Sequence, residues 1–113
     1  MAQSYGIRNR RARQRALLIA AGPDEHDLSE LGELLRTAGV AVAGEMTQKR
    51  TTPDPDRYFG KGKLAELKQA IKASDANLVA VDDELAPRQE RNLEAAIDTP
   101  VIDRTAVILD IFA

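Results

Sequence analysis

The sequence predicts an α/β fold: a four-stranded, mainly parallel sheet in the order 2-1-3-4, with helices on both faces. Three observations carry it. Short, nearly continuous apolar runs suit strands buried on both faces. They alternate with stretches whose apolar residues recur at helical spacing, and the connections between them are short, the pattern of a parallel sheet crossed by helices. Right-handed crossovers then leave few topologies. The first and last helices fall on one face of the sheet and the middle two on the other.

Residues 1–14 carry no apolar periodicity and read as a flexible Arg-rich arm, so the α/β domain runs over 15–113. Ala16-Leu17-Leu18-Ile19-Ala20-Ala21 is the first strand, ended by Gly22-Pro23. Leu28, Leu31, Leu34, Leu35 and Ala38 mark the first helix, with acids in its first turn and Gly39 placed to end it. Val40 to Thr47 reads as a second strand that turns polar toward its end. A polar loop follows from Gln48 to Asp56, where Thr52-Pro53 and Asp54-Pro55 argue against helix. Leu64, Leu67 and Ile71 give the second helix its apolar face, and Asn77 to Asp82 is a third buried strand. Pro87 suits the first turn of a third helix, whose buried face is Leu93, Ala96 and Ile97. Pro100-Val101-Ile102-Asp103 is a fourth strand, too short for a sheet centre. Asp103 or Thr105 can cap a last helix with apolar positions Val107, Ile108, Ile111 and Phe112. That helix stops at Ala113 without Gly, Pro or basic residues, and we expect the chain to be a piece of something longer.

At 113 residues the chain has the length of one domain. With two Phe, two Tyr and no Trp, its core must be built from Leu, Ile, Val and Ala. No apolar run approaches the roughly 20 residues that span a bilayer, so no membrane span is expected. The absence of Cys excludes disulfides and thiol chemistry and fits a cytoplasmic location. One His excludes a zinc site of several histidines, and His26 itself reads as solvent-facing. The net charge of −2 is unevenly spread: five Arg and no acid lie in 8–15, and five acids and no Lys or Arg in 24–33. The arginine run can neutralise nucleic-acid phosphates or serve as a solvated tail.

In such sheets the ligand crevice lies beyond the carboxyl ends of the strands. Gly22, the Thr47–Gly62 loop, Asp82-Asp83-Glu84 and Asp103-Arg104 fall on that edge. The loop closes with Arg57-Tyr58-Phe59-Gly60-Lys61-Gly62-Lys63. Gly60 and Gly62 permit backbone conformations closed to other residues. Lys61 and Lys63 stand where the first free N–H groups of the next helix point, so an anion can be held there. The spacing is not that of a P-loop, and Leu64 replaces the hydroxyl that would hold magnesium. Asp82, Asp83 and Asp103 are the other candidates. They can gather Mg²⁺ for a small phosphotransfer-type α/β domain, or cap helices and pair with Arg88, Arg91 or Arg104.

Thr47-Gln48-Lys49-Arg50, Pro53-Asp54-Pro55, Tyr58-Phe59-Gly60-Lys61-Gly62-Lys63, Asp82 to Pro87 with Gln89 and Arg91-Asn92-Leu93-Glu94, and Val101 to Thr105 with Ile108 to Ala113 stand in order along the chain. Together they resemble one family, the amino-terminal domain of HflX-type GTPases. The resemblance runs from about Arg15 to Ala113, in order. It implies a translation factor-like GTPase that binds the large ribosomal subunit and splits or rescues stalled ribosomes. It also implies that GTP and Mg²⁺ belong to a GTPase domain absent from this chain, which would itself be non-catalytic and hold no cofactor. The partners implied are the large ribosomal subunit with its rRNA and the protein's own GTPase domain. The RNA-docking candidates are Lys49, Arg50, Arg57, Gly60, Lys61, Gly62, Lys63 and Arg104, with Tyr58 or Phe59 stacking on a base or anchoring the loop. Ala86 stands where the family often has Ser or Thr, and Ala106 where it often has Glu or another polar residue, which puts helix capping in question.

Overall fold

The computed structural model describes residues 13–112. Within them strand and helix alternate: β1 (Arg15–Gly22), α1 (Ser29–Thr37), β2 (Ala41–Lys49), α2 (Lys61–Ser74), β3 (Leu78–Val81), α3 (Pro87–Ile97), β4 (Val101–Asp103) and α4 (Arg104–Phe112). All neighbouring strands run parallel, in the order β2-β1-β3-β4. The expected fold is the observed one.

From Ala16 onward strand β1 is apolar and buried on both faces, and its alternating side chains divide the core in two. Leu17, Ile19 and Ala21 pack with Leu64, Leu67 and Ile71 of α2 and with Leu93 and Ile97 of α3. Ala16, Leu18 and Ala20 pack with Leu31 and Leu35 of α1 and with Val107 of α4. A fully buried Leu or Ile stabilises the fold by about 1.5–3 kcal/mol relative to exposure, and Leu18 and Ile19 are fully buried.

Local chemistry sets the ends of these elements. Gly39 adopts φ +87 after α1, a conformation that disfavours any residue with a Cβ. It lets Gly39 N–H reach Arg36 O at 3.0 Å and Val40 N–H reach Leu35 O at 2.9 Å, closing the helix in a Schellman motif. Strand β2 continues two residues past its expected end, because Gln48 and Lys49 find partners in Ala21 and Gly22. Near its start the register shifts so that Ala43 is left without a partner on β1. A bulge of this kind makes the long outer strand a poorer template for pairing with another chain.

At the other edge, Asp103 caps α4, its Oδ1 accepting the Ala106 N–H at 2.9 Å. Val107 is buried as expected, but Ile108 is 38% exposed and Leu109 64% exposed, so Ile108 is not a core position. The Phe112 side chain lies outside the described residues. So does the Arg-rich arm apart from Arg13 and Gln14, whose carbonyls accept bonds from Asn77 Nδ2 and Ala41 N–H. Among the described residues no helix is long and apolar enough to cross a membrane.

Candidate functional site

The segment between β2 and α2 crosses the carboxyl edge of the sheet, and polar side chains fasten it at both ends. It starts where β2 outlasts its expected length: Arg50 N–H bonds to Gly22 O at 2.8 Å. Asp54 then makes the turn that the Asp-Pro sequence encodes. Its Oδ1 accepts the N–H groups of Asp56 and Arg57, each at 2.8 Å. Those bonds, the Arg57 one first, hold the Asp54 carboxyl below the ordinary carboxylate range. Asp54 and Tyr58 exchange backbone bonds at 2.9 Å, so the loop closes on itself.

Three side chains of α3 tie this loop down. Gln89 Nε2 donates to Asp54 O at 2.9 Å, Asn92 Nδ2 to Asp56 O at 3.1 Å, and Arg88 Nη2 to Pro55 O at 3.5 Å. The chain returns to α2 through Tyr58 and Phe59, which are stacked with ring centroids 5.7 Å apart. Both are buried, at 1% and 0% exposure. They anchor the loop, and neither ring offers a face on which an RNA base could stack.

Tyr58 holds φ +72, a genuine outlier for a bulky residue. Its hydroxyl accepts the Ala21 N–H at 2.8 Å and lies 3.1 Å from Asp83 Oδ2, to which it donates. Burial foremost, and the neighbouring Asp83 and Asp82, push the phenol well above its ordinary range. It remains a neutral donor at physiological pH.

The glycines serve a different purpose from the one their type suggested. Gly60 has φ −69 and needs no special backbone freedom. What it provides is room: a Cβ there would stand 2.7 Å from Arg50 Nη1 and 3.3 Å from Gln48 Nε2. Gln48 Oε1 accepts the Gly60 N–H at 2.9 Å, clasping the end of β2 to the start of α2. Gly62 lies in the first turn of α2 with open space where its Cβ would be. The clasp brings Arg50 to the start of α2, near Lys61 and Lys63, and the first turn of α2 carries no acid. Lys49, the next strand residue after Gln48, is exposed on the opposite face of the sheet and is not brought to them. Lys63 pairs with Glu66 at 3.3 Å on the exposed side of the helix. Arg57 sits elsewhere on the loop, facing Asn92, Ala95 and Ala96 of α3. Arg104 is at the opposite edge of the sheet, its guanidinium 3.2 Å from Asp82.

The strand-end carboxylates are each engaged. Asp82 meets Arg104, Asp83 meets Tyr58, and Asp103 accepts the Leu85 N–H at 3.0 Å through Oδ2 besides capping α4. Among the described residues no three His, Asp or Glu side chains converge as a metal site would require. His26 is half-buried rather than solvent-facing. Its ring lies 3.2 Å from where a Gly22 Cβ would be, and its Nε2 is buried with no partner among the described residues. The fastening residues Gln48, Asp54, Gln89 and Asn92 were not legible as a set, because they act through backbone groups distant in sequence. All four fall in stretches that carry the family resemblance, but of their roles only the Asp-Pro turn signal at Asp54 was legible.

Comparison with known proteins places this geometry in a family. The family described as GTP-binding GTPase N-terminal matches residues 25–113. The chain is 49% identical over 105 residues to GTPase HflX of Lacrimispora saccharolytica, covering 88% of this chain and 25% of that protein. It is 46% identical over 90 residues to GTPase HflX of Escherichia coli, covering 80% of this chain and 21% of that protein. The chain therefore spans about a quarter of the length of these relatives. In fold it resembles a GTP-binding protein from Sulfolobus solfataricus solved in complex with GDP, with a TM-score of 0.65 at 21% identity over 88% of this chain and 30% of that one. The chain belongs to the GTP-binding GTPase N-terminal family, to which its resemblance to HflX-type amino-terminal domains had pointed.

Proposed function

We propose that this domain docks an HflX-type GTPase onto ribosomal RNA of the large subunit, in a cytoplasmic protein that splits or rescues stalled ribosomes. The observation that carries the reading is the Gln48–Gly60 clasp, which brings Arg50 to the start of α2 near Lys61 and Lys63, at the edge where open α/β sheets meet their ligands, with Lys49 beside it on the other face of the strand. Cations held on rigid elements, with no acid in the first helical turn, suit phosphate contacts that position a protein without reading sequence. The buried Tyr58 and Phe59 serve this indirectly, by fixing the loop that presents the charge. GTP hydrolysis with Mg²⁺ falls to a separate domain, for which the greater length of the relatives leaves room. The phosphotransfer reading is disfavoured because Asp82, Asp83 and Asp103 are committed to Arg104, Tyr58, Leu85 and Ala106.

The test is co-sedimentation of the chain with purified large ribosomal subunits across a salt series. Phosphate contacts predict an association that falls steeply with salt. Association that is absent at low salt, or indifferent to salt, contradicts the proposal.

A further inference from the structure

Strand β2 is the outer strand of the sheet, and no described strand lies beyond it. Its free edge has a definite pattern. Arg50 N–H reaches inward to Gly22 O at 2.8 Å, and successive residues of a strand turn their backbone groups to opposite sides. The N–H and C=O groups of Glu45, Thr47 and Lys49 therefore face out, away from β1. The side chains of these three residues are exposed on the α1 face of the sheet, whereas Met46 packs with the core on the α2 face. Beyond Lys49 the chain turns back over the sheet toward α3, where Gln89 and Asn92 hold it. The loop thus leaves the outer edge open. Edge strands are usually blunted by a proline, a bulge or a charge. The bulge at Ala43 guards only the first half of β2, and residues 44–49 contain no proline. The charges there are one acid and one base, four residues apart.

We infer that two copies of this chain pair their β2 strands antiparallel across a two-fold axis at Thr47, joining their sheets into one. In that register Glu45 of each copy stands opposite Lys49 of the other, and Thr47 stands opposite Thr47. All three outward residues then form hydrogen-bonded pairs, each exchanging both backbone bonds. Opposite charges and paired threonines directly across two strands are favourable, and like charges are not. Other registers that match outward groups lose this. Centring the axis on Glu45 or Lys49 sets like charges against each other, and centring it on Met46 or Gln48 sets one charge against Thr47. The edge is therefore complementary to itself, as a two-fold contact between copies requires. The inference stands apart from the docking reading, since it uses neither Lys61, Lys63 nor the loop.

The test is sedimentation equilibrium of the whole chain from about 10 μM to about 1 mM. The wild type should rise with concentration from the mass of one chain toward twice that mass. Thr47→Pro removes an outward N–H but spares the ladder to β1, as proline on an edge strand can. It should stay at the mass of one chain while its far-ultraviolet circular dichroism matches the wild type. Glu45→Lys sets lysine against lysine and should weaken dimerisation about tenfold or more. Glu45→Lys together with Lys49→Glu makes the charges opposite again and should restore it. Both positions are exposed, so this pair of variants decides the matter even if Thr47→Pro fails to fold. A wild type that keeps the mass of one chain throughout overturns the inference. So does a folded Thr47→Pro chain that dimerises as the wild type does. A swapped variant that dimerises no better than Glu45→Lys overturns the register.

Discussion

The hydroxyl of Tyr58 accepts the backbone N–H of Ala21 at 2.8 Å, inside the protein and 37 residues away in sequence. That bond pins the loop to the end of the central strand and holds Tyr58 at a positive φ. Strain of this kind costs about 1–3 kcal/mol and persists only where the surroundings over-determine it. Tyr58→Phe keeps the ring and leaves the Ala21 N–H buried without an acceptor. It should destabilise the fold by about 1–3 kcal/mol in urea denaturation. A stability equal to wild type would show that the hydroxyl does not fasten the loop.

The start of α3 holds an unfinished capping box. Gln89 Oε1 accepts the Ala86 N–H at 3.0 Å, but Ala86 has no side-chain oxygen to return the bond. Its extended backbone, φ −68 and ψ 149, is already that of a cap. Ala86→Ser should therefore stabilise the domain by about 0.5–2 kcal/mol. An unchanged denaturation midpoint would contradict this.

The two glycines of the clasp should respond oppositely. Gly62→Ala meets nothing within 4 Å and should gain about 0.5–1 kcal/mol, the usual advantage of alanine in a helix. Gly60→Ala places a methyl against the Arg50 guanidinium. It should shift that cation and weaken co-sedimentation with large ribosomal subunits. Equal binding by both variants would mean that the Arg50 position is immaterial.

Much of the fold was legible because its signals are local. The apolar run from Ala16 to Ala21, the helical spacing of Leu64, Leu67 and Ile71, and Pro87 at a first turn each specify an element unaided. The site was less so. Residue types placed Lys61 and Lys63 at a helix start, but assigned Gly60 a backbone role when its purpose is space for Arg50. They offered Tyr58 and Phe59 as stacking surfaces when both are core. The reason is physical: the bonds of Tyr58 to Ala21, Gln89 to Asp54 and Asn92 to Asp56 join residues that no periodicity relates. The extra residues of β2 depend likewise on the length of its neighbour.

The response to acid should separate two carboxylates. Asp54 is held below its ordinary value of 3.8, first by the Arg57 N–H and then by that of Asp56. Its contribution is complete above the unfolded pKa and is lost as pH falls through the lower folded one. Asp54→Asn, which keeps an acceptor, should lose less stability on acidification below about pH 4. Glu90 is the reverse. Burial first, then Glu94 and Asp103, raise its pKa above the ordinary 4.5. Its ionisation opposes folding at neutral pH, an effect that vanishes as pH falls below its unfolded value. Glu90→Gln should thus be more stable than wild type at neutral pH and gain nothing in acid. Denaturation profiles parallel to wild type for both variants would contradict these assignments.

The central claim is that the cations gathered by the clasp hold RNA. The most direct measurement is co-sedimentation with large ribosomal subunits of the wild-type chain and of a chain carrying Lys61→Glu and Lys63→Glu, at moderate salt. Both lysines lie on the first turn of α2, outside the core, so the variant should fold. It should lose association, and the wild type should lose it steeply as salt rises. Equal association of the two chains at the same salt would contradict the account.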